Sequence, residues 1–135
     1  MAPDSDPESL RADVLRRWKE ELYSLDSVVS AVAVVVALPA GLAGAFLVAP
    51  ELAFAVWFAA GVGPGLAVDA GLDIDGWRHA AVLGFGLAAL DGAVATAAYL
   101  GASVAGASPS LALVPGAVLG LVAGELLARY GPLDR

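Results

Sequence analysis

The sequence has almost none of the thiol and imidazole side chains that commonly bind metals or take part in catalysis. It contains no cysteine and a single histidine, His79, among its 135 residues. The absence of thiols excludes disulfides, thiolate metal sites and thiol nucleophiles, and one imidazole argues against a histidine-ligated zinc or haem. No serine is accompanied by a plausible base and orienting acid. We therefore expect no catalytic residues, no metal and no cofactor, and a protein that is not an enzyme.

Charge is also scarce, and most of it is negative. Charged residues make up 16% of the chain, and 14 acidic residues outnumber 7 basic ones for a formal net charge of −7. Nucleic-acid binding requires clustered lysine and arginine, so we expect no nucleic-acid partner. An acidic chain with a single lysine, Lys19, is typical of proteins from halophilic archaea.

Apolar residues, by contrast, are abundant at 59% of the chain. They form four segments that are long enough to cross the roughly 30 Å hydrocarbon core of a bilayer as helices. The predicted spans are residues 27–48, 51–68, 78–100 and 109–128. Asp75 and Ser108 are the predicted N-caps of the last two spans. The sequence thus predicts an all-α integral membrane four-helix bundle over residues 27–130, followed by a tail at 131–135.

An amphipathic helix is predicted before the first span, within an acidic N-terminal region at residues 1–26. Asp6 is its predicted N-cap, and five apolar residues recur at spacings of three and four. This stripe contains Leu10, Val14, Trp18, Leu22 and Leu25. We expect the helix to lie in the membrane interface, with a partner-docking surface as the alternative. The predicted interfacial anchors are Trp18, Tyr23, Trp77, Arg78 and Arg129.

The positive charges predict the orientation of the spans. All seven fall in the N-terminal region, the central loop or the C-terminal end, which four spans place on one side of the membrane. They are Arg11, Arg16, Arg17, Lys19, Arg78, Arg129 and Arg135. The positive-inside rule therefore predicts a multi-pass protein of the cell membrane with both termini in the cytoplasm.

Small residues recur every four positions in three of the spans. Such ridges let helix backbones approach closely where lipid removes the hydrophobic driving force. The ridges comprise Ala33, Ala37, Gly41 and Ala45; Ala55, Ala59, Gly63 and Ala67; and Ala112, Gly116, Gly120, Gly124 and Ala128. The three glycines in register, Gly116, Gly120 and Gly124, are the predicted helix-packing face.

Two acidic residues inside the spans are the candidate ion or proton site. Asp91 lies near mid-bilayer, where an ionised carboxylate is costly, on a seam of small residues that faces other helices. It is either a proton- or cation-binding group or a neutral carboxyl that joins two helices by a hydrogen bond. Glu125 has Arg129 four residues later, which favours an ion pair on one helix. The helical rise predicts a difference in depth of about 10 Å between Asp91 and Glu125, which argues against a direct carboxyl pair.

These features favour a non-enzymatic function. We expect an accessory, scaffold or assembly subunit that is embedded in the lipid bilayer and forms a homo-oligomer or part of a larger membrane complex. The alternative is an oligomeric ion channel or a proton- or cation-coupled transporter that uses Asp91.

Topology is directly testable with reporter fusions. Fusions after Ala49, Asp73, Gly106 and Arg135 should report outside, inside, outside and inside in that order, because all seven positive charges then face the cytoplasm. An outside signal at Asp73 or Arg135 would contradict the predicted orientation.

Overall fold

The computed structural model describes residues 7–22 and 24–131, and this part of the chain is helical with no strand. It therefore confirms the all-α class. The helices are α1 (Pro7–Leu22), α2 (Leu25–Leu47), α3 (Pro50–Asp69), α4 (Gly76–Val104) and α5 (Pro109–Tyr130). The last four are long and apolar enough to cross a membrane, which indicates a membrane protein.

Local sequence signals explain where the helices begin. Ser24 precedes α2, and its side chain accepts a hydrogen bond from the Ser27 N–H at 3.2 Å, so α2 starts two residues before the predicted span. Ser108 accepts from the Leu111 N–H at 3.3 Å and is followed by a proline, as predicted for α5. The helices α2, α3 and α5 each continue through an internal proline.

The start of α4 differs from the expectation. Asp75 occupies the N-cap position, but its side chain makes no capping hydrogen bond. Instead, its backbone N–H donates a hydrogen bond to Nδ1 of His79 at 2.9 Å. The imidazole at the start of α4 thus holds the backbone of the cap residue in place. The predicted Asp75 side-chain cap is therefore wrong. Gly76 has a φ of 88°, a backbone conformation that glycine adopts without steric cost, and it lets the chain turn into α4.

The N-terminal helix is shorter than the predicted region. Helix α1 ends at Leu22, and Leu25, which the apolar stripe assigned to it, belongs to α2 instead. Leu10 and Val14 of the stripe are exposed, and within the described residues α1 contacts α2 alone. Asp6, Tyr23 and the side chain of Trp18 lie outside the described residues. Leu10 and Val14 are thus uncovered by the rest of the described chain, and the side chain of Leu22 lies outside the described residues as well.

Helices α3 and α4 form the centre of the bundle. They contact each other, and each of them contacts both α2 and α5, whereas α2 and α5 do not meet within the described residues. The faces turned inward are largely composed of alanine and glycine. On α5 the five buried residues are Ala112, Gly116, Gly120, Gly124 and Ala128. These small faces allow the close helix approach that association in lipid requires.

Several glycines lie where the backbones are too close for any side chain. A Cβ on Gly120 would lie 2.6 Å from Cβ of Ala59 on α3 and 2.7 Å from Cβ of Ala95 on α4. On α4, a Cβ on Gly84 would lie 2.7 Å from the carbonyl oxygen of Val29 on α2. The indole of Trp57 occupies the corresponding space at Gly41, and its Nε1–H donates to the Leu38 carbonyl at 3.1 Å.

Substitution of Gly120 tests this close approach. Gly120→Leu should lower the free energy of unfolding by about 1–3 kcal/mol or more, because the added atoms overlap α3 and α4. Val118→Leu should have little effect, since Val118 is exposed on the outer side of α5. Gly101→Ala supplies a matched glycine control, because its added Cβ meets nothing within 4 Å. The measurement is unfolding and thermal aggregation in detergent, and equal tolerance at all three positions would contradict the packing.

Candidate functional site

Asp91 is completely buried at the middle of α4. Its exposed fraction is 0%, and it is the one buried charged residue in the described part of the chain. From the helical rise, it lies about 22 Å from the start of α4 at Gly76 and about 20 Å from its end at Val104. On α5, its hydrogen-bond partner Gly124 is only six residues, or about 9 Å, from the end of the helix at Tyr130. Asp91 therefore lies inside the spans but nearer to the end of the bundle where α3 and α5 terminate, in a region where carboxyl groups are rare and costly.

Three glycines from the two neighbouring helices form a cradle around Asp91. A Cβ on Gly63 of α3 would collide with Oδ2, and a Cβ on Gly124 of α5 would lie 3.0 Å from Oδ1. A Cβ on Gly120 would lie 2.7 Å from the main-chain carbonyl oxygen of Asp91. The carboxyl therefore fills the space that side chains at Gly63 and Gly124 would otherwise occupy, and the main chain of Asp91 limits the space at Gly120. We call Asp91, Gly63, Gly120 and Gly124 the aspartate cradle.

The two oxygens of the Asp91 carboxyl have different environments. Oδ1 accepts a hydrogen bond from the backbone N–H of Gly124 at 2.8 Å, which joins α4 to α5. Oδ2 is buried and has no hydrogen-bond partner among the described residues. The carboxyl therefore connects two helices through one oxygen and leaves the other without a donor, at a depth where water does not compensate.

Glu125 and Arg129 form the ion pair that their spacing predicts. Arg129 Nη2 lies 2.9 Å from Glu125 Oε1, and their side chains are 56% and 28% exposed, respectively. The pair lies on the flank of α5 and not within its buried face. Partial exposure and the i, i+4 geometry are those of an ordinary intrahelical ion pair.

The predicted depth difference between Asp91 and Glu125 is wrong. Because the Gly124 N–H contacts Asp91, Glu125 lies only about one helical rise, or 1.5 Å, beyond the level of that contact. The Glu125 side chain nevertheless points away from Asp91, because successive residues of a helix are rotated by about 100° and Gly124 is the residue that faces Asp91. Glycine faces Asp91, while Glu125 turns to Arg129.

The hydroxyl groups on α4 do not approach the Asp91 carboxyl. Thr96 Oγ1 donates to the carbonyl oxygen of Gly92 on its own helix at 2.8 Å. Tyr99 is 2% exposed and lies two turns further along α4, about 12 Å from Asp91 by helical rise. Neither hydroxyl extends the carboxyl into a described chain of hydrogen bonds.

The predicted anchors near the start of α4 are exposed. Trp77 is 65% exposed, and the guanidinium carbon of Arg78 lies 5.5 Å from the centre of its ring, a cation–π geometry. These residues lie on the same side of the bundle as Arg129 but further out, because the Asp91–Gly124 contact leaves the end of α5 about 13 Å short of the start of α4. The aromatic and basic side chains are thus on one side of the bundle, as interfacial anchors would be.

Two apolar grooves run along the outer surface of the bundle. The first, of about 580 Å³, lies between α3 and α5 and contains the aromatic side chains of Phe54, Trp57 and Phe58. The second, of about 510 Å³, is bordered by α2, α3 and α4 and contains Ala93. Asp91 lines neither groove. Within the described residues, no three His, Asp or Glu side chains cluster in a way that could hold a metal ion.

Comparisons of this chain with family models, curated proteins and solved structures find no match. The function must therefore be argued from the arrangement of the residues themselves.

Substitutions of Asp91 test its bond to α5. Asp91→Asn keeps a carbonyl oxygen that can accept from the Gly124 N–H, so the free energy of unfolding should change by no more than about 1–2 kcal/mol. Asp91→Leu removes that acceptor and adds branched carbons against the glycines, so it should destabilise more. Unfolding in detergent measures both. An Asn variant as unstable as the Leu variant would contradict a hydrogen-bonding role.

Proposed function

We propose that this protein is a non-enzymatic accessory, scaffold or assembly subunit of the cell membrane that binds another transmembrane helix. The observation that favours a subunit over a transporter is the sealed environment of Asp91. The carboxyl is 0% exposed, is bonded to α5 and is enclosed by glycines from α3 and α5. A group enclosed in this way supports helix packing, while a conduction path needs access from both sides of the membrane.

The glycine ridge of α5 cannot bind a partner directly, because it is already buried within the bundle. Gly116, Gly120 and Gly124 pack against α3 and α4 of the same chain. A partner helix must therefore dock on a surface that faces outward.

The outward face of α4 provides a second stripe of small residues. Its members are all exposed and recur at spacings of three and four, and an added Cβ at its glycine meets nothing within 4 Å. They are Gly86, Ala89, Ala93 and Ala97, which we call the outer α4 seam. This pattern permits the close approach of a transmembrane helix from a second copy or from a larger complex.

The proposed orientation places both termini in the cytoplasm, with α1 lying in the membrane interface. In the described residues, the basic side chains lie in α1, at the start of α4 and near the end of α5, which alternating spans bring to one side. Leu10, Val14 and Leu15 of α1 are exposed and can contact the apolar part of the interface.

A second candidate function is an oligomeric channel or a proton- or cation-coupled transporter. It is favoured by one observation, the unpartnered Oδ2 of Asp91. Buried ionisable groups in membrane proteins commonly mark ion or proton pathways. This function would require the bundle to open, because Asp91 is closed to solvent in the present arrangement.

Filling the outer α4 seam tests the subunit proposal. We expect the wild-type protein in mild detergent to have a mass well above that of one 13.5 kDa chain. Combining Gly86→Leu with Ala93→Leu should reduce that mass without lowering stability, because Ala93 is exposed and a Cβ added at Gly86 meets nothing within 4 Å. Ala43→Leu is the control, since Ala43 is exposed on α2. A wild-type protein with the mass of one chain, or seam variants that assemble normally, would contradict the proposal.

Flux measurements separate the two functions. Vesicles containing the wild-type protein should show no flux of protons, sodium or potassium under an imposed gradient. A flux that disappears in Asp91→Asn while the fold is retained would overturn the subunit proposal and support the transporter.

A further inference from the structure

The Asp91 carboxyl has too few partners to be accommodated as an anion. A buried carboxylate requires several hydrogen-bond donors or a neighbouring cation. Asp91 receives one hydrogen bond, from the Gly124 N–H, and Oδ2 receives none from the described residues.

No cation faces the carboxyl from any helix that packs around it. At the level of Asp91, α3 presents Gly63 and α5 presents Gly120 and Gly124. The nearest basic side chain along α5, Arg129, is paired with Glu125. The titratable groups on the surrounding helices are Asp26 on α2, Glu51 and Asp69 on α3, Arg78, His79 and Tyr99 on α4, and Glu125, Arg129 and Tyr130 on α5. Among the described residues, none of them forms a hydrogen bond or an ion pair with Asp91.

The aspartate cradle offers too few oxygen ligands for a divalent metal cation. Hard cations such as Ca²⁺ and Mg²⁺ bind six or more oxygen ligands at about 2.0–2.6 Å. Here one carboxyl oxygen is already bonded to Gly124, and the other lies so close to Gly63 that even a Cβ would collide with it. A proton needs neither extra ligands nor extra volume.

We propose that the aspartate cradle is a proton-binding site that is selective against metal cations, in which Asp91 carries a proton on Oδ2 while α3, α4 and α5 are packed together. The proton removes the charge that the cradle cannot compensate, while Oδ1 remains free to accept from Gly124. Loss of the proton requires α3 or α5 to move away from α4, so proton binding is coupled to helix packing. This inference goes beyond the subunit function and does not depend on it.

Infrared spectroscopy of the wild-type protein tests the protonation directly. At neutral pH exposed aspartates are ionised, so a carboxylic acid C=O band that shifts on selective ¹³C-aspartate labelling must come from a buried aspartic acid. We expect such a band in the wild-type protein and its absence in Asp91→Asn. Asp69→Asn is the control, because Asp69 is exposed at the end of α3 and its loss should leave the band unchanged. Absence of the band from wild-type protein would overturn the proposal, without bearing on assembly through the outer α4 seam.

The pH dependence of unfolding gives an independent test. Above the ordinary aspartate range, near pH 4, the unfolded chain releases the proton that the packed bundle retains, so stability must fall as pH rises. The unfolding equilibrium constant of wild type relative to Asp91→Asn should increase about tenfold per pH unit in this window, until the packed form also releases its proton. A ratio that is independent of pH would contradict the proposal.

Changing the cation in solution tests whether the site selects a proton over metal ions. Replacing choline with sodium, potassium or magnesium at constant ionic strength should shift the unfolding midpoints of wild type and Asp91→Asn equally. Selective stabilisation of wild type by one metal cation would overturn proton selectivity. Neither this result nor the pH profile alters the expected mass of the assembly, so failure of the two proposals can be distinguished.

Discussion

The arrangement of the bundle depends on the close contact of α3, α4 and α5 around one buried carboxyl. In a membrane, helices gain little from excluding water from each other, so they associate through close packing and hydrogen bonds. At Asp91 both contributions occur at one place, because glycine backbones surround the side chain and one of them donates to it. Larger residues at these glycines would separate the helices and break that bond.

Helix α4 has two small-residue faces, one buried within the bundle and the other exposed. Asp91 and Ala95 lie on the face that packs against α3 and α5, whereas Ala93 lies on the exposed face. Because successive residues rotate by about 100°, residues only two positions apart fall on nearly opposite sides of the helix. One side of α4 therefore packs within the bundle, and the proposed docking of another helix concerns the opposite side.

The single hydrogen bond to Asp91 bears both on the packing of α4 against α5 and on the charge of the carboxyl. A neutral carboxyl is compatible with one backbone donor, whereas an anion would remain largely uncompensated in a medium of low polarity. The structural and the ion-binding interpretations of Asp91 therefore both rest on the same buried carboxyl and its hydrogen bond to Gly124. They differ in whether the helices separate enough for a proton to exchange.

The sequence by itself determined the helical class, the four apolar segments and the presence of a carboxyl deep within one of them, because length, hydropathy and charge are local properties. It also identified the register of Gly116, Gly120 and Gly124 on α5. Only the tertiary structure decided that these glycines face α3 and α4 of the same chain, and that Gly63 completes the aspartate cradle. It likewise brought Gly124, not Glu125, to Asp91. Small-residue periodicity is the same whether a helix packs internally or against a partner, and the relative depth of two helices is set by how their surfaces fit together.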